Sequence, residues 1–344
     1  MIQFSQSRFT DTTFPSALLP FTKDAVFFDI ETTGLSPTSA SIFMIGIAWW
    51  NGKDGIACQW ICDDPSPEGE RQLLSIFFQT LDEKGAHILY VYNGRSFDMP
   101  FIQKRCIRLG LDFSFKSYQV IDLYRELAPY RKLFPLKNYK LRSFEQFLGY
   151  GRRDKLDGKA LIRLFFSWTQ TKDPASLDLL YLHNLDDLRG FVHIFSLVVY
   201  IRFFQGAFTP VEIRMTKDLC QICLESDTAF PVPVGYEQFG MSFHGEGRQA
   251  FLSLPIYREG IRYYYPDWKN YVFLTEEGYA IHRSMAAYVD RSHYVPATQE
   301  QCYTFFKPGE NFADDPDAIR KLCHMTFGSF GFSGKPTFLD TFRI

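Results

Sequence analysis

Phe28-Asp29-Ile30-Glu31-Thr32-Thr33-Gly34-Leu35 is the stretch that decides the fold of this chain. It completes a predicted strand at 25–31 whose apolar residues fall on both faces, as in a strand covered from both sides of a sheet. Asp29 and Glu31 are two residues apart, so their side chains leave the same face of that strand. Charges in such a strand are costly unless something compensates them, and bound cations do so. Carboxylate oxygens suit Mg²⁺ or Mn²⁺.

The elements predicted around this stretch follow one order. They are strands at 25–31, 41–50 and 56–62, a helix at 68–84, a strand at 87–92, a helix at 97–109, a strand at 118–122, and helices from 123 to 204. Asn51-Gly52-Lys53-Asp54-Gly55 is typical hairpin sequence. The predicted fold class is α/β: a mixed sheet with a three-strand antiparallel meander, then βαβα, with helices on both faces.

The two ends of the chain differ from this α/β stretch. Residues 1–24 contain two prolines and little periodicity, and they predict an N-terminal arm. Beyond about residue 206, short apolar runs separated by Gly and Pro predict a smaller β-rich α+β region of unknown function. Its predicted elements are strands at 257–265 and 270–274 and helices at 278–289 and 316–327. The expected domains are therefore the arm at 1–24, an α/β domain at 25–205 and a C-terminal domain at 206–344.

Composition narrows the classes of function. The formal net charge of −2 argues against binding of nucleic acid through a global basic surface. The seven cysteines are scattered and odd in number, which does not suit a disulfide framework. No signal peptide is expected, and the longest apolar stretch, at 191–204, is too short to span a bilayer. A cytoplasmic setting without a membrane is therefore the expectation.

Two further acidic motifs accompany the first. They are Tyr92-Asn93-Gly94-Arg95-Ser96-Phe97-Asp98-Met99-Pro100-Phe101 and His183-Asn184-Leu185-Asp186-Asp187. Asp98 lies where a predicted strand gives way to a helix, and by itself it would equally suit a helix cap. His183 and Asp187 are four residues apart on one helix face, which by itself more often makes a surface pair. Because four carboxylates fall at positions that this fold brings together, the joint pattern favours a metal site.

These motifs resemble those of the DEDD (DnaQ-like) 3′-5′ exonuclease superfamily, and more narrowly those of the YprB-like ribonuclease H-like exonucleases. The stretch between the second and third motifs also resembles that family, in Leu141-Arg142-Ser143-Phe144-Glu145, Leu148-Gly149, Arg152-Arg153-Asp154 and Leu156-Asp157-Gly158. The resemblance covers about 25–204. It implies a ribonuclease H-like fold and a metal-dependent 3′-5′ exonuclease that hydrolyses phosphodiester bonds of DNA or RNA.

The resemblance also implies roles for individual residues. Two divalent cations, Mg²⁺ or Mn²⁺, would be bound by Asp29, Glu31, Asp98 and Asp187. These carboxylates would be catalytic together with His183, which would orient or deprotonate water. His183 stands at the spacing that tyrosine members of the superfamily use, and Tyr181 is an alternative for its role. The candidate contacts to the terminal nucleotide are Thr32, Leu35, Asn93 and Phe97, although Phe97 also suits the core.

The expected partner is nucleic acid, single-stranded or at a 3′ end, with no membrane and no obligatory protein partner. The segment at 125–163 carries eleven Lys and Arg against four Asp and Glu, a local charge of +7. It forms either a solvated face or a wall that follows phosphates, with Arg142 as a further substrate contact. Two alternatives stay open, a catalytically weak nucleic-acid-binding module and an RNase H-like endonuclease. Cys220 and Cys223 form half of a zinc pattern, which only Cys302, Cys323 and His324 would complete.

Overall fold

The computed structural model describes residues 1–10, 14–51 and 53–332, and the chain divides into two compact units. The first unit comprises Met1–Ala128 and Leu136–Ser196, and the second comprises Pro129–Pro135 and the chain from Leu197 onward. The predicted boundary near residue 206 therefore lies inside the second unit. The assignment of functional domains from the sequence stays a prediction.

The first unit is built on one six-stranded sheet. Its strands in chain order are β1 (Ile2–Phe9), β2 (Ala25–Thr32), β3 (Ile42–Trp50), β4 (Gly55–Cys62), β5 (Ile88–Val91) and β6 (Gln119–Asp122). They lie in the order β1-β4-β3-β2-β5-β6. The pairs among β1, β4, β3 and β2 are antiparallel, whereas β5 is parallel to both β2 and β6. This confirms the predicted antiparallel meander followed by a parallel part of the sheet.

The strand β1 corrects the prediction of an N-terminal arm. It pairs with β4 along its whole length, from Ile2 opposite Cys62 to Phe9 opposite Gly55. Its sequence is mostly polar because it is an edge strand, stabilised through its backbone hydrogen bonds to β4. Such a partner lies far away in the sequence and leaves no local periodicity. Gly52, in the predicted hairpin between β3 and β4, lies outside the described residues.

Helices cover both faces of this sheet, as predicted. In chain order they are α1 (Pro67–Glu83), α2 (Asp98–Leu109), α3 (Leu123–Glu126), α4 (Leu141–Phe147), α5 (Gly158–Thr171) and α6 (Pro174–Ile194). On one face, Phe28 of β2 lies 5.4 Å from Phe77 of α1 between ring centroids. On the other, Phe27 lies 5.1 Å from Phe191 of α6. Full burial of each such ring stabilises the fold by about 1.5–3 kcal/mol.

The alternation along β2 decides where its carboxylates point. Phe28 faces α1, and Phe27 faces α6, so the side chains of Asp29 and Glu31 also face α6. The helix α6 begins at a strong cap, because the carboxylate of Asp173 accepts hydrogen bonds from the amides of the first turn. The acidic strand and the helix of the third motif are thereby set against each other.

The second unit is β-rich, with its regular elements running from α7 (Val198–Phe204) to α8 (Pro316–Phe330). Its strands are β7 (Phe208–Met215), β8 (Leu219–Ser226), β9 (Val234–Gln238), β10 (Met241–Glu246), β11 (Gln249–Tyr257), β12 (Gly260–Tyr264), β13 (Tyr271–Leu274), β14 (Tyr279–His282), β15 (Tyr294–Pro296) and β16 (Tyr303–Phe306). They form a seven-stranded and a three-stranded sheet. Among the described residues, no helix has the length and apolarity to cross a membrane.

The helix predicted at 278–289 is wrong. Residues Tyr279–His282 form β14 and pair with β13, and a single 3₁₀ turn follows at Ala286–Tyr288. Gly278 has a φ of 73°, a backbone conformation that suits the turn between two strands and does not continue into a helix. The helix predicted at 316–327 is confirmed as α8.

Candidate active site

The strand β2 and the helix α6 bring three of the predicted site residues together. His183 Nε2 lies 3.6 Å from Glu31 Oε1 and 3.4 Å from Asp187 Oδ2. The ligand atoms of these three side chains all lie within 4.8 Å of one another. Asp29 is tied to the same helix, because Asn184 Nδ2 donates a hydrogen bond of 3.0 Å to its Oδ2.

Asp98 joins this group from the adjacent parallel strand. It is the first residue of α2, which follows β5, and the carboxyl ends of parallel strands meet at one edge of a sheet. The cap position of α2 is occupied by Phe97, so Asp98 is not the helix cap that its sequence position also suited. Its carboxyl group is buried and is hydrogen-bonded by the backbone of Ile30.

The electrostatics show how closely these acids are packed. Burial raises the pKa of Asp98 to about 7, and the charges of Asp122 and Asp187 add to the rise. Burial also holds the pKa of Asp29 and that of Glu31 well above their usual values, with neighbouring carboxylates raising both further. Such a set of buried oxygen donors resists ionisation unless positive charge is supplied, so the donor set fits divalent cations.

A glycine allows the helix to approach the sheet at this point. Asn184, which holds Asp29, itself accepts a hydrogen bond of 3.0 Å from Gln59 Nε2. It lies against Gly46 of β3, where an added Cβ would stand 2.0 Å from Asn184 Oδ1. A side chain at this position would push Asn184 away, so Gly46 is required for the contact between α6 and β3 that positions Asp29.

Arg152 places a positive charge within the acidic cluster, the name we give to Asp29, Glu31, Asp98 and Asp187 together. Its Nη2 donates a hydrogen bond of 2.6 Å to Asp187 Oδ1, and the same guanidinium binds both carboxylate oxygens of Glu145. The side chains of Arg152 and Glu145 are 9% and 1% exposed, so this is a buried ion pair. The guanidinium lowers the pKa of Asp29, although burial and the neighbouring acids outweigh it. The guanidinium of Arg152 therefore compensates part of the negative charge of the carboxylates.

Asp154, two residues further on, holds His183 from the opposite side of the imidazole ring. Its Oδ2 lies 2.8 Å from His183 Nδ1, and Arg142 Nη2 donates to the same oxygen at 2.8 Å. Asp186 of α6 fixes the loop, because its Oδ2 accepts hydrogen bonds of 2.7 Å from the amides of both Arg153 and Asp154. The segment at 152–154, which we call the RRD loop, is thus bound to the helix that carries His183 and Asp187.

Comparisons with known proteins identify the superfamily of this chain. A family model named RNase_H_2, described as the RNase_H superfamily, matches residues 26–199, about half of the chain. The chain belongs to the RNase H superfamily. Membership supports a nuclease as the general class of activity, nucleic acid as the substrate class and divalent metals as cofactors.

The curated sequence relatives match smaller parts of this RNase H-superfamily chain. It is 38% identical over 93 residues to a DNA polymerase of Thermococcus kodakarensis, covering 25% of the chain and 6% of the polymerase. It is 34% identical over 90 residues to a DNA polymerase of Pyrococcus glycovorans, covering 24% of the chain and 12% of that polymerase. The structure of the family B DNA polymerase of Pyrobaculum calidifontis aligns with a TM-score of 0.46 and 13% identity, over 89% of this chain and 46% of the other. The chain thus spans only a small part of the curated polymerases.

The candidate substrate contacts of this RNase H-superfamily chain have different surroundings. Leu35 is 86% exposed, and Asn93 is exposed with a φ of 60°. Thr32 is buried, with its hydroxyl donating to the carbonyl of Gly34, and Phe97 packs against the core. The guanidinium of Arg142 binds Asp154 and the carbonyl of Leu156. Their contacts to substrate stay predictions.

The two weaker alternatives from the sequence have different outcomes. Tyr181 packs against the apolar cluster that contains residues of α5 and α6, and its role in place of His183 stays a prediction. Cys220 and Cys223 are three residues apart in β8, so they point to opposite faces of the strand and cannot share a zinc ion. No local pattern in the sequence marks Arg152 and Asp154 as site residues, beyond their place in the basic segment and in the family resemblance.

Proposed function

We propose that this chain is a metal-dependent 3′-5′ exonuclease that hydrolyses phosphodiester bonds of DNA or RNA. Within the superfamily, we place the chain with the YprB-like exonucleases. The observation that carries it is the convergence of Asp29, Glu31, Asp98 and Asp187 from β2, α2 and α6 at one edge of the sheet. The 3′-5′ direction is supported by the three motifs and their order.

Two divalent cations, Mg²⁺ or Mn²⁺, would be held by these four carboxylates. When bound, two such ions activate a water molecule and stabilise the leaving oxygen of an in-line displacement. The residues of the chain supply the remainder of the site. Asn184 orients Asp29, and Arg152 orients Asp187. Asp98 is buried, and the side chains of Glu31 and Asp187 are only 15% and 20% exposed, so the attraction of cations is stronger here than in open water.

The surroundings of the cluster suit the end of a nucleic acid strand. Leu35 follows the acidic strand and exposes an apolar side chain, which offers a surface for a terminal base. Arg153 and Lys155 are exposed beside Asp154, where they would contact phosphates. The proposed partner is therefore single-stranded nucleic acid or a 3′ end, in a cytoplasmic setting, without an obligatory protein partner.

The test is digestion of single strands labelled at the 5′ end, in DNA and in RNA form, with Mg²⁺ or Mn²⁺. The wild type should shorten the strand stepwise from its 3′ end, and Asp29→Asn should lose this activity. Asp178→Asn is the matched control, because Asp178 is an exposed acid on α6. Equal activity of the wild type and Asp29→Asn would remove the catalytic role.

Two further substrates separate the alternatives. A circular single strand offers no end, so its cleavage would indicate an endonuclease. Binding of the labelled strand with no cleavage under any of the ions would indicate a binding module. Comparison of the DNA and RNA strands shows whether a contact to the 2′-hydroxyl selects the substrate.

A further inference from the structure

We propose that His183 is itself a ligand of the metal site through Nε2, and that Asp154 is the residue that positions it. The inference rests on the proposed function in one respect, that the acidic cluster binds a divalent cation. It differs from the sequence expectation, in which four carboxylates hold the ions and His183 acts on water.

The distances around Nε2 suit a shared ion. Two ligand atoms that each lie about 2.1 Å from one ion are about 3.0–3.4 Å apart for angles between octahedral and tetrahedral. His183 Nε2 lies 3.4 Å from Asp187 Oδ2 and 3.6 Å from Glu31 Oε1, close to this range. If His183 acted through a water molecule, Nε2 would lie farther from the ion by roughly the length of one hydrogen bond, about 2.8 Å.

The helical spacing directs both side chains of α6 to the same point. His183 and Asp187 are four residues apart, so they lie one above the other on successive turns. This is the spacing at which two helical side chains bind one metal ion in the His-Glu-x-x-His motif. Glu31 approaches from β2 on the facing side, which completes a group of one imidazole and two carboxylates.

The other ring nitrogen is held as in carboxylate–histidine–metal sites. Asp154 is buried and lies 2.8 Å from His183 Nδ1, while the amide of Leu156 donates to its second oxygen at 2.9 Å. With the proton on Nδ1, Asp154 accepts it, and the lone pair of Nε2 is directed at Glu31 and Asp187. Asp154 therefore acts through His183, as a positioning residue.

Nε2 lies within ion-pair distance of both carboxylates, but a direct hydrogen bond does not account for its placement. Its separations of 3.4 and 3.6 Å from the two carboxylates are longer than a normal N–H···O bond.

An imidazole ligand would also shift the choice of ion, because nitrogen ligands favour Mn²⁺ over Mg²⁺ more strongly than carboxylates do. We therefore expect Mn²⁺ to bind this site more tightly than Mg²⁺.

The experiment is electron spin echo envelope modulation on Mn²⁺, added at one equivalent without nucleic acid. The wild type should show a directly bound nitrogen, and growth with ¹⁵N-histidine should change that signal to the ¹⁵N pattern. The nitrogen signal should disappear in His183→Ala and remain in His87→Ala, a control at an exposed histidine of the same unit. In Asp154→Asn, the Kd for Mn²⁺ should rise by about 10–100-fold.

The outcomes separate the inference from the proposed function. Binding of Mn²⁺ that requires Asp29, but without a bound nitrogen, overturns the role of His183 and leaves the nuclease proposal intact. A nitrogen signal that survives in His183→Ala also overturns it. Absence of any Mn²⁺ binding overturns both. The ¹⁵N-histidine measurement uses the wild type alone, so a variant that fails to fold does not prevent the test.

Discussion

Arg152 Nη2 lies 2.6 Å from Asp187 Oδ1, while the other oxygen of Asp187 faces His183 Nε2 at 3.4 Å. One carboxylate of the acidic cluster is thus shared between a cation of the chain and the space where we place a metal ion. The arginine is itself anchored by Glu145, so its position does not depend on the ion. This pairing leads to the first of four predictions.

Replacement of Arg152 by Gln should destabilise the metal-free protein. It leaves Glu145 buried without its partner, and removal of one member of a buried pair costs about 3–5 kcal/mol. Urea unfolding at pH 7 measures the loss, with Arg153→Gln as the control because Arg153 is exposed. Adding Glu145→Gln to Arg152→Gln should recover part of the stability. Equal stability of Arg152→Gln and the control would show that the pair is not stabilising.

The raised pKa of Asp98 predicts a pH dependence of the metal-free protein. With a pKa of about 7 in the folded state and 3.8 as the ordinary value, the folded state binds more protons between these limits. The stability that the Asp98 carboxyl group contributes is fully present below pH 3.8 and is lost as the pH rises through about 7. The stability of Asp98→Asn relative to the wild type should therefore increase by about 2 kcal/mol from pH 5 to pH 8.

The measurement is urea unfolding of both proteins at several pH values with a chelator present. Asp178→Asn should show no such trend, since Asp178 is exposed. Saturating Mn²⁺ should reverse the trend for the wild type, because the ion stabilises the ionised carboxylates. A constant difference between Asp98→Asn and the wild type would contradict the raised pKa.

Replacement of Gly46 by Ala should loosen α6 from the sheet. The added methyl group would stand 2.0 Å from Asn184 Oδ1 and 2.8 Å from Leu188 Cδ1. Overpacking of this kind costs about 1–3 kcal/mol, and the displaced Asn184 would release Asp29. Thermal unfolding should show a lower Tm, together with weaker Mn²⁺ binding. Gly158→Ala is the control, because its Cβ would meet nothing within 4 Å.

The adjacent acids Asp186 and Asp187 should behave differently. Asp186 is buried and binds two backbone amides of the RRD loop, so Asp186→Ala should cost about 1–3 kcal/mol for each unpaired amide. It should retain Mn²⁺ binding at a higher Kd. Asp187→Asn should lose most of the Mn²⁺ affinity at a smaller cost in stability. Calorimetric titration and urea unfolding of both variants check this, and equal Mn²⁺ affinities would remove Asp187 from the ligand set.

The sequence predicted the parts of the molecule that depend on local patterns. The period-two spacing of Asp29 and Glu31 and the helical spacing of His183 and Asp187 gave the correct faces of β2 and α6. The order of elements gave the sheet that brings them together. These features depend on the residue spacing within one strand or one helix, so a short stretch of sequence is enough to predict them.

The missed features depend on partners far away in the chain. The polar strand β1 is ordered by pairing with β4, which lies far along the chain, as Ile2 opposite Cys62 shows. The RRD loop has no periodicity, and its roles come from contacts with Glu145 and α6. The net charge of the basic segment at 125–163 includes Arg152 but does not indicate which carboxylates Arg152 binds.

The RRD loop also links the positions of two side chains on α6. Arg152 holds Asp187, Asp154 holds His183, and Asp186 fastens the loop, all through groups of the polypeptide itself. A single three-residue segment therefore orients side chains on two successive turns of the helix. We expect a change in the backbone of this segment to displace Asp187 and His183 together.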